Sequence, residues 1–135
     1  MLRGMLMTKG ELGKIGEDAA AKYLESKGYE IVCRNYRCSH LETDIICRGF
    51  GYTVFAEVKT RNPSSAKFLS PGGSVWGKKC MNLILCAEAY IREAIERGEE
   101  IGQPRIDVIE VYTGKDNIIT RITHIENAVI DKRSR

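Results

Sequence analysis

The sequence predicts an α/β domain in which a mixed central β-sheet is flanked by helices. Two long stretches show the apolar periodicity of amphipathic helices. The segments between and after them are short, rich in β-branched and aromatic residues, and bounded by turn-forming residues. The predicted order is helix, strand, hairpin, loop, helix, strand, strand. At 135 residues and without internal repeats, the chain has the length of one domain with one hydrophobic core.

Both helices are predicted from apolar stripes that end at a glycine. The first covers residues 11–27, with Gly28 as its C-terminal stop. The second runs from about residue 75 to residue 97 and stops at Gly98. The stripes consist of Leu12, Ile15, Gly16, Ala19 and Tyr23 in the first helix, and of Leu83, Cys86, Ala87, Tyr90 and Ala94 in the second.

The strands are predicted from β-rich segments separated by turn residues. Residues 42–46 and 52–59 form an antiparallel hairpin around Gly49-Phe50-Gly51. Residues 62–74 are small and polar, which predicts a connecting loop between this hairpin and the second helix. The remaining predicted strands are residues 29–33, 105–112 and 117–123.

The hairpin carries the candidate functional residues, Asp44 and the tripeptide Glu57-Val58-Lys59. Side chains alternate across a strand, so Glu57 and Lys59 share one face. If the register puts Asp44 on that face, two carboxylates and an ammonium group meet at one end of the hairpin. Mg²⁺ prefers oxygen ligands and would offset the repulsion between the carboxylates. The pattern predicts a metal-dependent nuclease site; the alternative is an ordinary surface pair of opposite charges.

Short motifs that are individually weak follow one another in a specific order along almost the whole chain. They lie at residues 13–20, 23–24, 27–29, 34–37, 42–46, 54–61, 105–108 and 127–128, together with Lys79, Ala87 and Tyr90. In this order and spacing they resemble the YraN-like family of predicted endonucleases. That family is related to archaeal Holliday-junction resolvases and belongs to the restriction-endonuclease-like PD-(D/E)xK superfamily.

The resemblance implies a restriction-endonuclease-like fold and a magnesium-dependent endonuclease that hydrolyses phosphodiester bonds in DNA, including branched or processed structures. Mn²⁺ is expected to substitute for Mg²⁺. The implied metal ligands are Asp44, Glu57 and the Val58 carbonyl, with Glu17 completing the metal shell directly or through water. Lys59 is implied to position or activate the attacking water, so the catalytic set is Asp44, Glu57, Lys59 and Glu17.

Three further charged residues, Glu42, Arg61 and Lys79, are assigned supporting or phosphate-binding roles. Lys79 lies on the core-facing stripe of the second helix, so it either extends to solvent or reaches toward the site and a phosphate. Glu17 lies about 140° from Leu12 on the helical wheel, and periodicity alone favours a solvent-facing side chain there.

The chain departs from the family pattern at several positions near the predicted site. Leu41 stands where glycine is usual, and Thr43 stands where isoleucine is usual. Met81 and Asn82 occupy positions where basic residues are common, which lowers the number of phosphate contacts expected from the second helix.

Composition limits the classes of protein that fit. A formal net charge of +3 is too small to indicate nucleic-acid binding by itself. Five cysteines with no CxxC pair and no histidine at ligand spacing argue against a zinc site. The odd cysteine count and the lack of a signal peptide predict a cytoplasmic protein with reduced thiols. No segment approaches the roughly twenty apolar residues that a membrane span needs.

These observations predict one nuclease-like domain over residues 1–135, with flexible ends at residues 1–9 and 131–135. A homodimer would suit a cut of two strands. Two competing hypotheses stay open. The chain could be a nucleic-acid-binding or scaffold protein that cleaves little and acts with a partner, or a structural domain whose charges form ion pairs.

Overall fold

The computed structural model describes residues 8–62 and 78–129. Within these ranges the chain forms two helices and five strands, with one short 3₁₀ turn before the last strand. The elements are α1 (Lys9–Ser26), β1 (Glu30–Cys38), β2 (Leu41–Gly49), β3 (Tyr52–Arg61), α2 (Lys78–Glu96), β4 (Gln103–Thr113), the 3₁₀ turn Lys115–Asn117 and β5 (Ile119–Ile125).

The five strands form one mixed sheet in the order β1-β2-β3-β4-β5. Only β3 and β4 run parallel, and α2 lies in the chain between them, as a parallel crossover requires. The other neighbouring pairs are antiparallel. The predicted α/β architecture, a mixed sheet flanked by helices, is confirmed and agrees with a restriction-endonuclease-like fold.

The two helices bury opposite faces of the sheet. On one face, Leu24 of α1 packs in a buried cluster with Ile45 and Val54. On the other face, Tyr90 of α2 packs with Phe55 in a second cluster. Because side chains alternate along β3, the residues that follow Phe55 at two-residue steps continue on the α2 face.

The β2–β3 hairpin closes through a two-residue turn. Gly49 pairs with Tyr52, and the intervening Phe50 and Gly51 have φ angles of 57° and 83°. Positive φ at both central residues is the geometry of a type I′ turn, whose twist matches that of the flanking strands. This turn sets the register that extends along the hairpin to the pair Ile45 and Ala56.

Several element boundaries differ from the predicted ones. The first helix begins at Lys9, because Thr8 forms a capping box with Glu11. The first strand continues to Cys38, because its pairing with β2 extends past Asn35 although that residue has a φ of 54°. The last strand starts at Ile119, since the 3₁₀ turn occupies the preceding residues.

Some predicted features concern parts of the chain outside the described residues. These are the loop from residue 63 onward, the first turn of the second helix before residue 78, and the flexible ends apart from Thr8 and Lys9. Within residues 8–62 and 78–129, neither helix has the length and apolar character needed to cross a membrane.

Gly16 sets how closely α1 approaches β3. A Cβ atom placed on Gly16 would lie 2.0 Å from the Thr60 hydroxyl oxygen and 3.2 Å from the Thr60 Cβ. A separation of 2.0 Å is far below any van der Waals contact. The hydrogen atom of glycine therefore allows α1 to pack directly on the strand that carries Glu57 and Lys59.

We expect Gly16→Ala to lower the free energy of unfolding by about 1–3 kcal/mol, because the helix must move away from Thr60. Gly13→Ala is the matched control, since nothing lies within 4 Å of a Cβ atom there. It should stabilise the helix by up to about 1 kcal/mol. Urea denaturation of both variants measures the two effects. Equal stability of the variants would contradict the close contact between α1 and β3.

Candidate functional site

The site lies where β2 stops pairing with β3. The ladder between these strands ends at Ile45 and Ala56. One step further, Asp44 Oδ2 accepts a hydrogen bond of 2.7 Å from the backbone N–H of Val58. The Asp44 side chain thus accepts the hydrogen bond that the backbone of β2 would otherwise accept, and the pairing of β2 with β3 stops here. In an extended strand the N–H and C=O of one residue point to the same edge, so the Val58 carbonyl also faces this unpaired edge.

Glu57 forms the centre of the charged cluster. It is 5% exposed. Its Oε2 atom lies 2.8 Å from Lys79 Nζ and 3.2 Å from Lys59 Nζ. The structure thus brings the Lys79 ammonium group to the site, while the side chain stays 44% exposed. Its phosphate-binding role stays a prediction.

The ionisation of Asp44 reflects its surroundings. Burial, followed by the neighbouring Glu57 charge, raises the pKa of Asp44 to about 7, against the opposing effect of the Val58 N–H. The charge of Glu17 adds to this rise. Two carboxylates in a partly buried site therefore resist simultaneous ionisation.

The two lysines of the cluster respond differently to the same carboxylate. Burial lowers the pKa of Lys59 despite the attraction of Glu57, and the charge of Lys79 lowers it further. Burial also acts to lower the pKa of Lys79, but its hydrogen bond to Glu57 and the Glu57 charge outweigh that effect and raise it. The carboxylate thus stabilises the ammonium form of Lys79 in particular.

Glu17 reaches the neighbourhood of the site from α1. Its side chain is 23% exposed, and its Oε1 atom lies 3.1 Å from Asn35 Nδ2 and 3.8 Å from Arg34 Nη2. The fully solvent-facing position that periodicity favours is therefore not observed. Sequence reasoning missed the contacts of Asn35 and Arg34 with Glu17. The sequence contains one local signal for an irregular backbone at this point: Asn35 lies within a β-rich segment, and asparagine tolerates positive φ better than most residues.

The other predicted supporting residues occupy different positions. Glu42 lies 3.8 Å from Arg37 on β1. Arg61 binds Glu110 at 3.2 Å, and the Glu110 side chain is fully buried. Arg61 therefore neutralises a buried carboxylate on the neighbouring strand, which makes it a supporting residue of the sheet in this structure.

The two histidines lie in different surroundings. His124 Nε2 lies 2.7 Å from Asp107 Oδ2, and its Nδ1 lies 3.1 Å from the Tyr23 hydroxyl on the α1 side of the sheet. Asp107 also forms the predicted ion pair with Arg105, at 2.8 Å. His40 lies 3.5 Å from the neighbouring Ser39 hydroxyl.

A cleft of about 210 Å³ opens onto the cluster. A larger cavity of about 500 Å³ lies between α2 and β4, but it contains none of the predicted site residues. The smaller, more polar cleft is therefore the relevant one for charged ligands. Its lining consists of His40, Leu41, Glu42, Asp44, Glu57, Lys79, Asn82 and Leu83.

The donors at this site suit a hard divalent cation. The Asp44 and Glu57 carboxylates and the Val58 carbonyl supply oxygen atoms, the ligand type that Mg²⁺ and Mn²⁺ favour. In the described parts of the chain, no three His, Cys, Asp or Glu side chains converge on one metal position. The fit therefore depends on two carboxylates and one backbone carbonyl, and the part of Glu17 in the metal shell stays a prediction.

We expect Asp44→Asn to stabilise the metal-free protein at pH 8. Asparagine keeps the acceptor for the Val58 N–H and removes a carboxylate whose pKa is raised to about 7. The stability that protonated Asp44 contributes is complete below its unfolded pKa near 4 and is lost as the pH rises through about 7. The variant should gain about 1–3 kcal/mol in urea denaturation at pH 8 with EDTA, and little at pH 4. A gain that is equal at both pH values would contradict the raised pKa.

The sequence comparisons identify relatives along nearly the whole chain. Residues 16–111 match the family described as "Uncharacterised protein family UPF0102". A UPF0102 protein of Caldicellulosiruptor saccharolyticus is 38% identical over 122 residues, which cover 90% of this chain and 99% of the relative. A UPF0102 protein of Caldanaerobacter subterraneus subsp. tengcongensis is 36% identical over 123 residues, covering 90% and 97%. A UPF0102 protein of Bacteroides fragilis is 39% identical over 118 residues, covering 87% and 90%.

The matched residues contain α1 from Gly16 onward, the whole hairpin and the second helix, and therefore every charged residue of the cluster. The resemblance to the YraN-like family is confirmed by this match. The chain belongs to the UPF0102 family, the family of YraN-like proteins.

Proposed function

We propose that this protein is a metal-dependent endonuclease that hydrolyses phosphodiester bonds in DNA. The observation that carries the proposal is the convergence of Asp44, Glu57, Lys59 and the Val58 carbonyl at the point where β2 leaves β3. Two buried or half-buried carboxylates beside a lysine combine metal ligands with a residue that can act on water or phosphate. This combination is what hydrolysis of a phosphodiester requires.

The carboxylates of Asp44 and Glu57 and the Val58 carbonyl would hold Mg²⁺ or Mn²⁺. The bound ion would supply positive charge to the scissile phosphate and lower the pKa of a water molecule. The raised pKa of metal-free Asp44 supports this assignment, because the carboxylate is poorly stabilised by the protein alone.

Lys59 is the proposed catalytic residue that acts on the reacting groups. Its side chain is 19% exposed and is fixed on β3 beside Glu57. An ammonium group in this position can donate hydrogen bonds to the attacking water and to a phosphate oxygen. It would thereby orient the water and stabilise the negative charge that develops in the transition state.

DNA is the proposed substrate because exposed basic side chains lie on the elements next to the cluster. Lys14 of α1 lies 3.6 Å from Asp18, and Arg37 of β1 lies 3.8 Å from Glu42; the two basic side chains are 74% and 70% exposed. Such residues suit contacts with the phosphate backbone and do not select a base sequence. The relation of the family to resolvases favours branched DNA among the candidate substrates, and a homodimer would then present two cutting sites.

A second candidate is a nucleic-acid-binding scaffold that does not cleave by itself. One observation favours it: two lysines already neutralise Glu57. A cluster that is satisfied by internal ion pairs does not need a metal to keep the fold intact. The two candidates differ in whether metal-dependent cleavage occurs.

We expect Lys59→Ala to lower single-turnover cleavage by about 10²- to 10³-fold, because a positioned electrostatic stabiliser is lost. The assay uses labelled linear, flap and four-way-junction DNA with Mg²⁺ or Mn²⁺. DNA binding, measured in Ca²⁺, should fall much less, since one phosphate contact is a small part of the total.

Lys22→Ala is the matched control, because Lys22 is exposed on α1 and its loss removes the same charge. It should cleave like the wild type. Equal cleavage by wild type, Lys59→Ala and Glu57→Gln would assign the activity to a contaminant or to another site. A wild-type protein that binds DNA in Ca²⁺ and cleaves none of the substrates would support the scaffold instead.

A further inference from the structure

One carboxylate oxygen of Glu57 binds two ammonium groups at once. Lys79 Nζ lies 2.8 Å from Oε2, and Lys59 Nζ lies 3.2 Å from the same atom. The shorter contact comes from Lys79, although that residue belongs to α2 and Lys59 is on the same strand as Glu57. Charge-assisted hydrogen bonds of this length are among the stronger polar contacts in proteins.

The two lysines differ in how freely they can leave Glu57. The Lys59 side chain is 19% exposed. The Lys79 side chain is 44% exposed and lines the cleft beside Asp44. A long, flexible side chain at the edge of a cleft can move its ammonium group several ångströms without disturbing the backbone.

A divalent ion held by Asp44 and Glu57 would meet both ammonium groups at close range. Like charges a few ångströms apart repel strongly where solvent screening is reduced. The repulsion falls most if the more mobile cation leaves Glu57. The side chain that can leave is Lys79, and the cleft gives it space to do so.

We propose that Lys79 occupies the cation position at Glu57 in the metal-free protein, is displaced when a divalent ion binds, and then provides its ammonium group to a DNA phosphate. This inference rests on the proposed function, because it takes the metal and the DNA from it. It adds an exchange at Glu57, in which the divalent ion takes the place of the Lys79 ammonium group. Before the exchange, Lys79 stabilises the metal-free cluster and opposes metal binding. After the exchange, Lys79 contributes to DNA binding.

Isothermal calorimetry with Mn²⁺ alone tests the competition. Lys79→Met removes the charge and keeps the length of the side chain, so Mn²⁺ should bind about 3- to 10-fold more tightly than to the wild type. Lys79→Arg keeps the charge and should bind Mn²⁺ no more tightly than the wild type. Thermal unfolding without metal verifies that each variant folds.

Arg92→Met is the matched control. Arg92 is exposed on α2, roughly 20 Å further along the helix at about 1.5 Å per residue. It removes the same charge from the same helix, so an effect of net charge alone would appear in both variants. The inference predicts unchanged Mn²⁺ affinity for Arg92→Met.

The binding data separate failure of the exchange from failure of the proposed function. If the wild type binds Mn²⁺ and Lys79→Met binds it equally or more weakly, the competition is overturned and the metal site stands. If wild type and Lys79→Met both fail to bind Mn²⁺, the metal site and the exchange are both overturned. Tighter binding confined to Lys79→Met supports the exchange.

A second measurement follows the freed ammonium group. We expect Lys79→Met to bind a labelled four-way junction about 3- to 10-fold more weakly than the wild type in Ca²⁺, and equally well in EDTA. Without metal, Lys79 is held by Glu57 and contributes little to the phosphate contact. An equal loss of affinity in both conditions would overturn the exchange, because Lys79 would then bind phosphate independently of the metal.

Discussion

The hydrogen bond from the Val58 N–H to the Asp44 carboxylate is the interaction on which the geometry of the site depends. Up to Ile45 and Ala56 the hairpin is an ordinary antiparallel ladder. At the next step an acidic side chain takes the backbone donor that the opposite strand would otherwise occupy. This hydrogen bond holds the Asp44 carboxylate beside Glu57. The Val58 carbonyl then lies at an unpaired edge of β3, where other charged groups can approach it.

The parallel pairing of β3 with β4 supports this opening. Glu57 lies beside Val108 and Lys59 beside Glu110, so one edge of β3 stays fully paired while the other edge opens. Fully buried Glu110 is held by Arg61 at the end of the same strand. A rigid strand that carries the carboxylate and the lysine meets the requirement that catalytic groups be held in place before the substrate arrives.

Local patterns in the sequence predicted the hairpin and the shared face of Glu57 and Lys59, because strand alternation depends only on neighbouring residues. They could not predict that the pairing of β2 with β3 ends before Asp44. The Asp44 side chain competes with the backbone of its own strand for the Val58 N–H, and such competition leaves no periodic pattern in the sequence. The sequence also did not predict that β1 continues past Asn35, because a single residue with positive φ does not have to end a strand that stays paired with its neighbour. The position of Glu17 follows from the packing of Gly16 on Thr60, a tertiary contact that the helical wheel does not contain.

We propose that Asp44 and Glu57 share one divalent ion at the open edge of β3. Anomalous diffraction from crystals soaked in Mn²⁺ would locate this ion. We expect one Mn²⁺ peak with carboxylate oxygens of both residues at roughly 2.0–2.6 Å. A peak bound elsewhere, or no peak at saturating Mn²⁺ with Glu57 still paired to Lys79, would contradict it.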